Sequence, residues 1–365
     1  MHAVLIRHLF ALINAFLLGV YLIPIIIRAA KKTGIMDAPD GRLKHQKEPI
    51  PYLGGVAIFI SFITTLGLCY PFENQMLWLL IGAALLLFIG LVDDLKVLKP
   101  SQKFFGQGLA VLCFLKGEFS LQTNFFSSIT NICWSVFWML TVINAFNLVD
   151  VMDGLCATLA VVSASTFCLI AFLTGQYNVS VLLAAFVGSV AAFLVYNKPQ
   201  AKIYLGDAGS LFIGGFMAAI PLLFTWDKTL FSCGCVNNVW LYGQVLRPLF
   251  EVFLIPGLIF AVPLAEVIGL FIIRTKLGIP FYCGSPHHFS IYLQKKGWSR
   301  VRVLLFAAVC SGMLSMLVLL FLYRYISVPV LIAFVGLFIA GWVNLIFFHA
   351  NKIQAPQASE EDIQV

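Results

Sequence analysis

Long apolar stretches separated by short polar segments run almost the whole length of the chain. Runs near the ~20 residues needed to cross a hydrocarbon core fall at 3–28, 52–70, 76–92, 131–148, 156–174, 179–196, 209–225, 251–273, 302–323 and 327–348, with a shorter one at 103–115. They predict an all-α polytopic membrane protein of about 11 transmembrane helices, or 10 if the short fourth span is not counted. These runs form a single integral membrane domain over 1–348, followed at 349–365 by a short, disordered tail with Glu360, Glu361 and Asp362. The first run is too long for the core of a cleaved signal peptide and no Ala-x-Ala site follows it, so it reads as a span.

Composition narrows the class further. With 61% hydrophobic and 11% charged residues, the chain cannot be a soluble protein of 365 residues. Most of the nine cysteines lie inside apolar runs, where they act as small hydrophobes, and Cys233 and Cys235 flank a single glycine, too close for an easy mutual disulfide. No zinc spacing is present.

The +7 charge would point to nucleic acid in a soluble protein; here its distribution sets topology instead, and no nucleic-acid partner is expected. With the loop after the first span on the cytoplasmic side, eighteen Lys and Arg fall on that face and five (Arg7, Lys116, Lys228, Arg247, Arg324) on the other. The N-terminus is therefore expected outside and the C-terminus in the cytoplasm. Asp93, Asp94, Asp150, Asp153 and Asp207 all fall at span ends on that cytoplasmic face. An Asp at the bilayer centre costs about 2.5–3.5 kcal/mol, which explains span ends. It does not explain why one face collects them.

The densest chemistry is Asn144–Gly154, where Asn144, Asn147, Asp150 and Asp153 recur every three residues at the end of an apolar run. A step of three falls short of a helical turn by about 60°, so the segment is expected to tighten or unwind as it leaves the membrane, with Gly154 permitting the exit. Four converging oxygen-bearing side chains suit a hard cation or a phosphate-bearing ligand; capping of an interfacial helix end is the plainer reading. Asp93 and Asp94 repel one another, which favours a nearby cation or a shared proton. In Gly206–Ser210 two glycines allow close backbone approach and the following helix offers free N–H groups to an anion.

The first cytoplasmic loop carries Asp37, Pro39, Arg42, Lys44, His45 and Lys47 before Pro51–Gly55 opens the second span. It serves either as a platform for a diphosphate or as a polybasic loop on anionic lipid. The last large loop carries Arg274, Lys276, His287, His288, Lys295, Lys296 and Arg300. Its paired histidines lack a third ligand at zinc spacing, so phosphate contact or proton handling fits them better. Glu266 is the one acid well inside an apolar run and a functional candidate, with a structural pairing as the alternative. No Walker A loop, dinucleotide fingerprint or His-Glu-x-x-His helix is present.

In this order the motifs Asp37-Ala38-Pro39 with Arg42 and His45, Pro51–Gly55, Asp93-Asp94, Asn144–Gly154, Gly206–Ser210, Pro263 with Glu266, and the histidine loop resemble the polyprenyl-phosphate N-acetylhexosamine-1-phosphate transferases, the WecA-type and MraY-type membrane enzymes of glycosyltransferase family 4. The chain departs from that pattern at Val97, where WecA-type enzymes often carry a third acid, at Glu266, where Asp is common, and in having only two histidines in the loop.

The resemblance implies Mg²⁺-dependent transfer, with Mn²⁺ as a substitute, of a sugar 1-phosphate from a UDP-N-acetylhexosamine to undecaprenyl phosphate in the bacterial inner membrane, for cell-envelope polysaccharide synthesis. Asp207, with Asp150 or Asp153, would hold the metal; Asp93 or Asp94 would act on the lipid phosphate. Asn144 and Asn147 would bind nucleotide or support the metal ligands, and Lys44, His45, Arg274 and His288 would contact phosphates. His287 and Glu266 complete the expected substrate-binding set, and His288, followed by Phe289, matches the family pattern better than His287. Membrane lipids are expected partners, and a homodimer is compatible with the sequence. MraY-like transfer of phospho-N-acetylmuramoyl-pentapeptide is the alternative within the family, and an anionic-solute transporter the alternative outside it.

Overall fold

A computed structural model describes residues 2–37, 49–122, 126–224, 253–280, 282 and 284–350, with side chains through residue 345. Thirteen helices occur among them: α1 (His2–Thr33), α2 (Gly54–Cys69), α3 (Asn74–Leu95), α4 (Pro100–Lys116), α5 (Ser128–Val149), α6 (Leu155–Leu173), α7 (Tyr177–Asn197), α8 (Gly206–Leu223), α9 (Ile255–Ile259), α10 (Ala261–Lys276), α11 (Phe289–Lys295), α12 (Arg300–Leu322) and α13 (Val328–Ala350). A two-stranded antiparallel pair, β1 (Met36–Asp37) and β2 (Ile50–Pro51), brackets the first loop.

Eight of the helices, α1, α3, α5 to α8, α12 and α13, are long and apolar enough to cross a membrane, and α2 is a shorter apolar helix. The protein is thus an all-α polytopic membrane protein. The doubtful fourth run is a helix of 17 residues, α4. The ninth run is broken at Phe260 into α9 and α10, with Pro256 and Pro263 each in a first turn, where a missing N–H removes no helical bond. Ser127 starts α5 by accepting from the Thr130 N–H at 3.2 Å, and Ser299 starts α12 by accepting from Arg302 N–H at 3.3 Å.

The sequence of α8 is apolar all round, the mark of a helix enclosed by others, and every residue from Ala208 to Pro221 is buried. Helices α2, α3 and α5 surround it, while α1 lies along α7 and α2. A methyl group on Gly90 would strike the carbonyl of Asp207, and one on Gly55 the backbone of Gly209, so α3 and α2 press directly onto the first turn of α8. The approach is pinned by backbone bonds from Gly54 N–H to Tyr204 O (3.0 Å), Gly55 N–H to Leu205 O (3.1 Å) and Tyr204 N–H to Pro51 O (2.8 Å). This packing brings the C-terminal ends of α3 and α5 to the start of α8.

Candidate active site

Every helix begins with N–H groups that lack intrahelical partners. At α8 they are met from another helix: Asp94, in the last turn of α3, accepts from Asp207 N–H at 2.8 Å and from Ala208 N–H at 3.1 Å. Gly206 makes room for this cap, because its backbone is left-handed (φ 71°) and a Cβ there would collide with the Asp94 carboxylate. With both oxygens engaged, Asp94 positions the start of α8. Its neighbour Asp93 accepts from Leu98 N–H at 2.7 Å and pairs with Lys103 Nζ at 2.9 Å.

Lys103 joins the two halves of the site. Its ammonium also lies 3.0 Å from Asp207 Oδ2, so one cation from α4 bridges carboxylates of α3 and α8. The other oxygen of Asp207 accepts from Asn147 Nδ2, which also donates to Ser210 Oγ at 2.8 Å. Helices α3, α4, α5 and α8 therefore meet in one network of charged and amide groups.

The three-residue spacing of Asn144–Gly154 resolves into separate tasks. Helix α5 stays α-helical to Val149, so Asn144 and Asn147 point to different neighbours. Asn144 donates to Gln107 Oε1 at 2.9 Å and to Leu140 O at 2.7 Å, bracing α5 against α4. The chain then leaves the helix in a turn that ends at Gly154, whose φ is 76°. Gly154 N–H donates to Asn197 Oδ1 at 2.8 Å, and Asn197 Nδ2 donates to Ile203 O at 2.8 Å, tying this turn to the segment before Asp207. Asp150 sits in the turn; burial and the charges of Asp207, Asp94 and Asp153 hold its carboxyl well above the usual carboxylate range. Asp153 faces the other way, with Arg300 Nη1 at 3.0 Å and Ala201 N–H at 3.4 Å.

The histidine loop forms a second unit. Glu266 and His288, 3% and 5% exposed, pair at 2.9 Å through His288 Nδ1, and Glu266 also accepts from Phe289 N–H at 3.3 Å. The candidate acid inside the ninth run thus orients a histidine and caps α11. Arg274, also buried, donates from Nε to Ser285 Oγ at 3.0 Å. His287 has its pKa lowered by burial and by the nearby positive charges of Lys295, Arg274 and His288. Gln294 Nε2 approaches Met152 Sδ at 3.4 Å, which, with the Arg300 ion pair, docks this unit on the Asp150–Asp153 turn. Lys44 and His45 lie outside the described residues. On the described edge of that loop, Tyr52 donates to Asp37 Oδ1 at 2.7 Å; burial and then the negative charges of Asp37, Asp94 and Asp207 push its phenol well up.

Among the described residues, no three His, Cys, Asp or Glu side chains form a ready-made metal cage. The oxygens at the site suit Mg²⁺ in its usual role, held by one or two carboxylates with substrate phosphates and water completing the shell. Asp207, Asp150 and Asp153 are the candidate carboxylates, and one oxygen of Asp153 also pairs with Arg300.

Sequence reading counted Lys103 only as a topological charge, held Tyr52 and Ser210 within its motifs without giving them a task, and missed Gln107 and Asn197. Lys103 and Gln107 did carry a signal. They stand four residues apart, on one face of a short helix whose other residues from Phe104 to Leu115 are apolar or glycine.

Comparison with known proteins finds likeness over the same part of the chain. The model of glycosyl transferase family 4 matches residues 76–225, the span from α3 to α8 that carries the acid–lysine network. A Bacillus subtilis protein described as a probable undecaprenyl-phosphate N-acetylglucosaminyl 1-phosphate transferase is 34% identical over 241 residues, covering 62% of this chain and just under two thirds (66%) of the relative. A phospho-N-acetylmuramoyl-pentapeptide-transferase of Listeria welshimeri is 31% identical over 310 residues, 78% of this chain and 87% of the relative. Its Listeria innocua counterpart is 32% identical over the same shares. With likeness of this extent across a relative's length, and the family match lying on the network itself, the chain belongs to glycosyl transferase family 4.

Proposed function

We propose that the protein transfers a sugar 1-phosphate, N-acetylglucosamine 1-phosphate before others, from a UDP-linked sugar to undecaprenyl phosphate, releasing UMP. The observation that carries this reading is the Asp93–Lys103–Asp207–Asn147 network where four helices meet. A lipid phosphate and a nucleotide diphosphate repel each other, so their reaction needs positive charge and fixed orientation at one membrane surface. A bound Mg²⁺, held by Asp207 with Asp150, would neutralise the diphosphate and polarise its phosphoryl oxygens.

The chain's own residues do the rest. Asp94 fixes the first turn of α8 and so the aim of Asp207. Asp93, which has a side-chain cation rather than a backbone cap on one oxygen, is the carboxylate left to orient the attacking lipid phosphate or take its proton. A phosphate monoester is already largely ionised near neutral pH, so little base strength is required. Lys103 places one ammonium against both carboxylates and offsets their mutual repulsion. Direct attack on the diphosphate needs no second site, and we favour it over a covalent aspartyl-phosphate.

N-acetylglucosamine is put first on the likeness to the Bacillus subtilis relative, 34% identical and described as a probable undecaprenyl-phosphate N-acetylglucosaminyl 1-phosphate transferase. Transfer of the muramoyl-pentapeptide phosphate stands second, favoured by the longer alignments with the Listeria relatives. The acids at one end of the bundle speak against a transporter, whose binding groups lie near the midplane.

The test is UMP release by purified protein in detergent with Mg²⁺ and undecaprenyl phosphate, comparing UDP-N-acetylglucosamine, other UDP-N-acetylhexosamines and UDP-N-acetylmuramoyl-pentapeptide, with Asp207→Asn as control. Lipid-dependent release from UDP-N-acetylglucosamine, lost in the variant, is expected. Release from the pentapeptide donor alone would move the second reading to the front; folded protein that releases UMP from none would overturn both.

A further inference from the structure

Helix α4 delivers Lys103 to the acids, yet much of its own surface faces away from the bundle, where Phe104, Phe105, Leu109 and Leu112 are exposed. Apolar contact is non-directional, and lipid tails replace it between helices at little cost. Such contact does not by itself fix how far a helix slides or turns along its neighbour. A hydrogen bond between two helices does, because its geometry holds at one register only.

Gln107 supplies that bond. Its side chain is 0% exposed, in the middle of α4, and meets Asn144 of α5 as a reciprocal amide pair. Asn144 Nδ2 donates to Gln107 Oε1 at 2.9 Å, and Gln107 Nε2 donates to Asn144 Oδ1 at 3.4 Å. Leu140 O, 2.7 Å from Asn144, can only accept, so the Asn144 atom facing it is the nitrogen. Both hydrogens of that nitrogen are then engaged inside the protein, and neither is left for a nucleotide.

The pair closes a circuit around the site. Gln107 stands four residues after Lys103 on the same face of α4. Asn144 stands three residues before Asn147 on α5, and Asn147 donates to Asp207, whose other oxygen meets Lys103 Nζ at 3.0 Å. Links therefore run from α4 to α5, from α5 to α8, and from α8 back to α4. The tie from Lys103 to Asp93 cannot do the same work, because only the short connection over 96–99 separates α3 from α4.

We infer that Gln107 and Asn144 are positioning residues: their amide pair sets the register of α4 on α5, and with it the reach of the Lys103 ammonium to Asp207. Asn144 thereby belongs to the framework and not to the nucleotide. The inference rests on the chemistry proposed for the α3–α4–α8 junction.

The experiment reads Lys103 and turnover separately, on the purified full chain in detergent. Gln107→Met keeps the side chain's length and removes its polar atoms. Combined with Asn144→Leu it leaves no unmet amide, so the double variant should regain the melting temperature that Gln107→Met alone loses. In both variants, acylation of Lys103 by an N-hydroxysuccinimide ester, read by peptide mass spectrometry against exposed Lys99, should rise about threefold to tenfold, the size of one bond between helices. The kcat for UMP release should fall at least about tenfold, with the donor KM within about twofold. Added to Lys103→Gln, the same changes should lower kcat by less than about twofold more, since the residue they act through is gone.

Unchanged labelling of Lys103, unchanged kcat, or a loss that multiplies with that of Lys103→Gln would overturn the inference. So would a raised donor KM with kcat kept, the mark of a nucleotide contact. Labelling does not depend on turnover: an unaltered chain that releases no UMP from any donor defeats the proposed reaction, whereas the setting of Lys103 by the amide pair is then decided by labelling.

Discussion

Two groups of charged side chains adjoin the turn from Asp150 to Gly154, and they are built on opposite principles. On one side, Asp93, Lys103, Asp207 and Asn147 share partners: one ammonium serves two carboxylates, and one amide serves a carboxylate and a hydroxyl. On the other, Glu266 with His288 and Asp153 with Arg300 are closed pairs. One ammonium shared by two carboxylates leaves a negative charge that this group does not itself neutralise, and the buried carboxyls of Asp94 and Asp150 adjoin the same place. That surplus invites a ligand that brings positive charge. Closed pairs invite nothing and hold their loops in position. On the proposed reading, chemistry belongs to the first group and aiming to the second.

The largest effect should come from the shared group. Asp207→Asn keeps the shape and the Asn147 contact but removes a charge, and UMP release should fall by about 10²–10³ or more, as for loss of a principal electrostatic group. Retention of more than a tenth of the rate would break the contrast.

Asp94 sharpens it, because its role is a cap. Asp94→Ala should destabilise the protein by about 1–2 kcal/mol in a detergent melt and reduce activity with it, whereas Asp94→Asn, which still has one accepting oxygen, should recover part of both. Equal and total loss in the two variants without a stability change would make Asp94 a reacting group instead.

Asp150 supplies a pH signature. Its folded pKa is raised, so the stability it allows is fully present below the unfolded carboxylate value of about 3.9 and is lost as pH rises through the folded value. In chelator, Asp150→Asn should therefore raise the melting temperature at pH 8 and do little at pH 4. The opposite order would mean that the carboxylate is stabilised where it stands. The smallest effect belongs to Arg300→Gln: its side chain is 50% exposed, and an exposed ion pair contributes about 0.2–1 kcal/mol.

Much of the fold was legible because lipid imposes a simple code. Each of the eleven apolar runs contains helix, and even the doubtful run at 103–115 lies within α4. The break of the ninth run into α9 and α10 was less visible, since prolines sit in first turns as readily as at kinks. At the site, Asp93, Asp94, Asn147 and Asp207 were legible as acids and amides at span ends, yet their division of labour was not. Asp94 caps α8 only because α3 crosses α8 at Gly90, a contact between residues more than a hundred positions apart, whereas Asp93 meets Lys103 across the short connection from α3 to α4. Lys103 lay hidden among basic residues that serve topology. Asp153 was expected at the metal because it shares a motif with Asp150; its ion pair with Arg300, across 147 positions, could not be read from that motif.

The most direct measurement sets two cations side by side: kcat for UMP release by Lys103→Gln and by Arg300→Gln under saturating donor and lipid. Lys103 bridges the shared carboxylates and Arg300 closes a separate pair. A fall of about 100-fold or more for Lys103→Gln, against less than about fivefold for Arg300→Gln, is the expected result. Equal losses, or a Lys103→Gln enzyme that turns over normally, would contradict the placement of the chemistry at the α3–α4–α8 junction.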